Sequence, residues 1–220
     1  NNAKRITRKN IDLACAHLSK SERNSLIVAS LRNLGFKTFD FLSTWFATEK
    51  IIQNSIIEVV GLDEFQKARQ IGPTLILLPH LGNWEIFGLW LSKKFPYTAM
   101  FRPLRIPALT NLVRQARERG GNRLVEANRS GIRQLLKDLR KGGLVIVLPD
   151  QNPKNGHGEY IPFFGIPTLT PTLPYRLAQS TKAAVFIATA IKESAVYRIE
   201  FQKLEADLSN RNQWLVEMNL

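Results

Sequence analysis

Two apolar runs, Thr74-Leu75-Ile76-Leu77-Leu78 and Leu144-Val145-Ile146-Val147-Leu148, most constrain how this chain can fold, because each ends in Pro followed by an ionisable residue. Runs of this length suit strands buried on both faces, as in parallel sheets covered by helices on each side. Proline closes each strand, since it has no N–H to offer the ladder. The residue that follows is His80 in one case and Asp150 in the other. If the strands are parallel and joined by right-handed crossovers, both groups emerge on one rim. Open α/β sheets place their chemistry at that rim.

The first run continues His80-Leu81-Gly82-Asn83-Trp84-Glu85. Gly82 tolerates unusual backbone angles and Asn83 can cap free N–H groups, so the stretch predicts strand, tight turn, helix. His80 then stands at the strand end and Glu85 in the first helical turn. Histidine titrates near neutrality and can take a proton from an attacking alcohol, and a carboxylate beside its other ring nitrogen would orient it. Spacing alone leaves a second reading open, a histidine capping a strand end and a Glu placed favourably at a helix start.

Around these strands the periodicity alternates. Residues 1–50 read as an N-terminal helical segment: Ser21 can cap a helix that Gly35 stops, and Phe36, Phe39, Phe41, Trp45 and Phe46 form either core or a face toward lipid. Residues 51–220 read as the core of an α/β domain with a mostly parallel sheet. Short strands are predicted at 56–60, 97–101, 123–126, 183–190 and 195–201, with helices between and a helical tail from 210. Residues 150–170, rich in Pro, Gly and Asn, read as a long irregular loop, with Thr170-Pro171 opening the helix beyond it.

Composition narrows the partners. Lys and Arg total 31 against 18 acidic residues, and eleven basic residues against three acidic ones lie between Arg102 and Lys141. That density favours phosphorylated ligands, an acidic protein or an anionic membrane. Nucleic acid is not expected, because no zinc spacing, KH-type loop or recognition-helix motif accompanies the charge. No metal site is expected either: the single cysteine, Cys15, and the histidines His17, His80 and His157 are not clustered, and His157 reads as a surface loop residue.

Five ordered stretches together resemble the lipid A biosynthesis acyltransferases, the late lauroyl/myristoyl acyltransferases within the glycerolipid acyltransferase superfamily. They are His80-Leu81-Gly82-Asn83-Trp84-Glu85; Phe101-Arg102-Pro103-Leu104; Arg117-Glu118-Arg119-Gly120; Leu148-Pro149-Asp150-Gln151-Asn152-Pro153; and Ile161-Pro162-Phe163-Phe164-Gly165 with Thr170-Pro171. The resemblance implies a glycerolipid acyltransferase-like fold. It implies transfer of a fatty acyl group from acyl carrier protein, or alternatively from acyl-CoA, to a hydroxyl of a lipid A precursor or related glycolipid. No cofactor and no covalent acyl-enzyme are expected. The expected setting is the cytoplasmic face of the inner membrane of a Gram-negative cell, with a membrane-anchoring N-terminal helix that this sequence lacks.

Under this reading His80 is the general base and Glu85 its partner, while backbone N–H groups at Gly82 and Asn83 are oxyanion candidates. Asn83, Arg102, Arg117, Arg119, Asp150, Gln151, Phe163 and Phe164 are candidates for substrate binding. Arg102 is either a phosphate contact or a surface ion pair, and of Arg117 and Arg119 one is expected to line the site. Asp150 either organises the arginines or caps its loop, and Phe163 and Phe164 shape an acyl channel or pack in the core. The alternatives are a thioester or lipid hydrolase and a non-enzymatic module binding anionic lipid.

Overall fold

The computed structural model describes residues 2–104, 106–153 and 158–219. Two helices lead, α1 (Asn2–Ala14) and the long α2 (Lys20–Phe46). A capping box starts α2: Ser19 Oγ accepts from the Glu22 N–H, and the Glu22 carboxylate accepts from the Ser19 N–H. Ser19 thus takes the role expected of Ser21. Gly35 does not stop the helix, since a glycine on an exposed helical face lowers stability without ending the hydrogen-bond ladder.

The segments α3 (Glu49–Ser55), β1 (Ile56–Val60) and α4 (Leu62–Ile71) lead into β2 (Thr74–Leu77), the first apolar run. After it come α5 (Trp84–Ser92), β3 (Thr98–Phe101), α6 (Pro107–Glu118), β4 (Arg123–Glu126), α7 (Arg129–Arg140) and β5 (Leu144–Val147). The expected loop after β5 is largely a hairpin, β6 (Gly158–Phe163) and β7 (Ile166–Pro171). Its prolines Pro162 and Pro167 face each other across a two-stranded ribbon, where each strand has a free edge that tolerates a missing N–H. Pro171 therefore ends a strand, and Thr172 opens the helix that follows. His157 lies outside the described residues. The chain finishes with α8 (Leu173–Thr181), β8 (Ala184–Glu193), β9 (Val196–Lys203) and α9 (Arg211–Met218).

The main sheet has seven strands in the order β1-β9-β8-β2-β5-β3-β4. The five from β8 to β4 are parallel, while β9 returns antiparallel to β8 and carries β1 beside it. This is the α/β, mostly parallel arrangement expected. Alternation divides the core between two faces: Ile76 and Ile146 pack with Phe65, Phe87 and Trp90, and Leu75, Leu77, Val145 and Val147 pack with Leu135, Leu139 and Trp214. At the amino ends of the central strands, Arg69 donates to the carbonyls of Gly72 and Gly142 at 2.9 and 3.0 Å. That clamp fixes where β2 and β5 begin, and so where each one ends.

Candidate active site

Leu77 pairs with Val147, and the Leu78 N–H donates to the Val147 carbonyl at 2.9 Å. Continued past the two prolines, this register sets His80 beside Asp150. The His80 backbone N–H donates to Asp150 Oδ2 at 2.8 Å, and His80 Nδ1 lies 2.7 Å from Asp150 Oδ1. An ionised carboxylate can only accept, so Nδ1 carries the proton and Nε2 of the neutral ring presents its lone pair. Gln151 Nε2 sits 3.0 Å from that lone pair. Behind the imidazole stands Trp84, edge to face at 4.6 Å between centroids, itself packed against Phe41 of α2 at 4.4 Å. Partial burial pushes the Asp150 carboxyl up, but the ring and backbone N–H groups of His80 outweigh it and hold Asp150 below the usual carboxylate range.

Glu85 is not the partner of His80. It is only 4% exposed, on the other side of the first turn of α5, where Arg117 of α6 grips it with two bonds. Arg117 Nε donates to Oε2 at 2.9 Å and Nη2 to Oε1 at 2.5 Å. Burial disfavours the charged guanidinium, yet Glu85 more than compensates and the Arg117 pKa is raised. Five residues of sequence suggested contact with His80. Across the turn between them, His80 pairs with Asp150 and Glu85 with Arg117.

Asn83 differs from the substrate-binding role expected of it, while Gly82 makes the tight turn expected. Asn83 caps α5 by accepting from the Ile86 N–H, and its amide donates to Thr44 Oγ1 and to the Tyr197 hydroxyl. Its own N–H donates to the Ala190 carbonyl at 2.8 Å. With every group engaged and the residue buried, Asn83 is neither a substrate ligand nor an oxyanion donor. Gly82 has φ of 63°, and a Cβ there would meet the Ala190 carbonyl oxygen at 2.0 Å, so the turn requires glycine for close approach to β8.

A cavity of about 930 Å³ opens over the carboxyl ends of the strands. His80, Glu85, Arg102, Arg117 and Gln151 all line it, and Asp150 reaches it through His80. Arg102 is exposed and has no ion-pair partner among the described residues, which removes the surface salt-bridge reading. Arg119 points elsewhere: its guanidinium donates to the carbonyls of Trp45 and Thr44 at 2.9 and 3.1 Å, closing the end of α2. Phe163 and Phe164 do not line the cavity. They lie at the exposed tip of the hairpin, where Phe164 and Gly165 form the two-residue turn with φ of 51° and 73°. Two further cavity residues, Arg129 and Arg176, were not singled out in the sequence. Arg129 follows β4 much as Arg102 follows β3, so the strand-end logic applied to His80 would have found it.

The geometry can be set beside known proteins. The family model described as bacterial lipid A biosynthesis acyltransferase matches residues 1–210. The lipid A biosynthesis palmitoleoyltransferase of Escherichia coli (strain K12) is 25% identical over 219 residues, covering 97% of this chain and 71% of that protein. A lipid A biosynthesis acyltransferase of Haemophilus influenzae is 27% identical over 180 residues, 80% of this chain and 55% of the relative. The phosphatidylinositol mannoside acyltransferase of Mycolicibacterium smegmatis is 29% identical over 135 residues, 59% and 44% respectively.

Proposed function

Because this chain belongs to the bacterial lipid A biosynthesis acyltransferase family and is an enzyme that transfers acyl groups, we propose that His80 is its general base, in direct transfer of a fatty acyl chain from an acyl carrier protein thioester to a hydroxyl of a phosphorylated lipid A precursor. The observation that carries this reading is the orientation of His80: Asp150 fixes the Nδ1 proton and Nε2 faces a cavity lined by Arg102. The acceptor hydroxyl displaces Gln151 from Nε2 and gives up its proton there as its oxygen attacks the thioester carbonyl. Asp150 stabilises the imidazolium that forms. Collapse of the tetrahedral intermediate expels the thiolate, which takes the proton back. The displaced Gln151 carboxamide then donates to the oxyanion. This sequence of steps needs neither a covalent acyl-enzyme nor a cofactor.

Arg102 holds an acceptor phosphate, a task suited to a planar guanidinium with no competing carboxylate. Arg117 supports the cavity wall through Glu85. Phe36, Phe39, Leu42 and Phe46, all exposed along α2 and accompanied by Lys37, support a lipid surface as the setting, on the cytoplasmic face of the inner membrane. No helix among the described residues is long and apolar enough to cross a membrane. The similarity to a phosphatidylinositol mannoside acyltransferase supports a second reading, in which the acceptor is a mannosylated glycolipid.

The test incubates acyl carrier protein thioesters and acyl-CoA of several chain lengths with each acceptor and identifies products by mass. Acylated lipid A precursor that disappears in His80→Ala is expected. Free fatty acid released equally fast without acceptor would make the protein a hydrolase instead.

A further inference from the structure

One face of α7 carries a column of like charge. Arg129, Arg133, Lys137 and Lys141 follow at four-residue intervals, the spacing that stacks side chains on a single helical face. All four are exposed, as is Arg140 beside them. Among the described residues none of the five forms an ion pair. The one acid of the helix, Asp138, is turned inward, where Thr98 Oγ1 and Gln134 Nε2 each donate to it at 2.7 Å. Among the described residues its ion-pair partner is Arg123, at 3.9 Å. Asp138 therefore does not neutralise the column, and buried Leu135 and Leu139 hold the opposite face of α7 in the core.

This arrangement is unfavourable for the helix by itself. Cations four residues apart repel, and Arg129 stands at the end where the helix dipole is already positive. A negatively charged surface lying along α7 relieves both effects. The column is about 18 Å long, from the rise of an α-helix. Its upper end is the cavity, where Arg129 lines the wall with Arg102 and Arg176.

A lipid-inserting face needs exposed apolar side chains among its cations. Such side chains occur on α2 and at the hairpin tip, whereas α7 exposes no large apolar residue. The column has the character of a surface for an acidic protein. We propose that α7 is the docking site for the acidic face of the carrier protein that presents the acyl thioester to the cavity. This rests on the reading that the donor is a carrier-protein thioester.

The test compares two donors with the full chain and acceptor in mixed micelles: an acyl carrier protein thioester, and the same acyl group on free pantetheine. In Arg133→Glu/Lys137→Glu, KM for the carrier-protein donor rises by about tenfold or more with kcat kept, while KM and kcat for the pantetheine donor are unchanged. That second result also shows the variant to be folded. Raising NaCl to about 0.3 M weakens use of the carrier-protein donor by the wild type but not by the variant. Arg133→Gln/Lys137→Gln falls between the two. An unchanged KM for the carrier-protein donor overturns the proposal, and so do equal losses with both donors. Loss of co-sedimentation with anionic vesicles, with carrier-protein KM unchanged, would make α7 a lipid-facing helix. A wild type that uses acyl-CoA alone removes the donor reading and the docking site together; one that uses the carrier protein regardless of the column removes only the docking site.

Discussion

His80 and Asp150 stand at one register position, 70 residues apart in sequence, at the carboxyl ends of neighbouring parallel strands. The pair is positioned by the sheet itself. Both strands are buried on both faces, and Arg69 ties their amino ends. An imidazole held in this way has its ring orientation set before any ligand arrives.

Asp150→Asn should keep the fold and lose most turnover. An amide can present its N–H to Nδ1 and favour the wrong tautomer, leaving Nε2 protonated and unable to accept. A fall in kcat of about 10²–10⁴-fold is expected, with a smaller change in acceptor KM. Steady-state kinetics on the purified variant would check it.

The same carboxylate makes a predictable contribution to acid stability. Its pKa in the folded chain lies below the ordinary 3.8, so it stabilises the fold above that value and ceases to do so as pH falls through the folded value. The difference in unfolding free energy between wild type and Asp150→Asn should hold from about pH 7 down to about pH 4 and shrink only below that. Urea titrations across this range measure it. A gap that closes above the ordinary carboxylate range would contradict the arrangement.

Glu85→Gln should be a stability variant. It leaves the half-buried Arg117 without its carboxylate, a loss that costs about 3–5 kcal/mol in fully buried pairs and less in this cavity wall. Thermal and urea unfolding should register this in full. The pH dependence of kcat should stay that of the wild type, because Glu85 does not touch the imidazole.

Arg102→Ala and Arg119→Ala should separate cleanly. Loss of a charge-assisted contact to phosphate is worth about 1.5–3 kcal/mol, so acceptor KM should rise about 10- to 100-fold in the first variant. The second should lower stability by freeing the carbonyls at the end of α2 while leaving acceptor KM near the wild-type value. Kinetics with a phosphorylated and a dephosphorylated acceptor would complete the comparison, since Arg102→Ala should narrow the difference between them.

Phe164→Gly should leave acyl-chain selectivity alone. The side chain stands in solvent with φ of 51°, and glycine removes a strain of about 1 kcal/mol at such a position, partly offset by its greater freedom in the unfolded chain. A competition assay with mixed chain lengths and a melting curve would check both halves.

Most strands could be read because they are short, apolar and bounded by Gly or Pro, and the repeated Leu-Pro before His80 and Asp150 pointed to a common rim. Which carboxylate would meet the histidine could not be read in the same way. Proximity in sequence favoured Glu85, but contact depended on strand register, which joins positions far apart in the chain. The hairpin escaped notice because Pro162 and Pro167 look like loop residues until their strands are known to have free edges. Gly35 misled for a related reason: nothing approaches within 4 Å of where its Cβ would be, so only the local ladder decides whether the helix continues. Arg119 and Asn83 resembled site residues, yet their distant partners are groups of α2 and, for Asn83, also of β8 and β9, which local pattern cannot supply.

The end of α2 is fastened twice, by Arg119 to the carbonyls of Thr44 and Trp45 and by Asn83 to the Thr44 hydroxyl, next to the turn that follows His80. The long helix is consequently an outrigger tied at its carboxyl end to the wall of the cavity. Any tilt of this helix is inherited by the opening, so a force applied at its distant amino end would turn the mouth of the cavity with it.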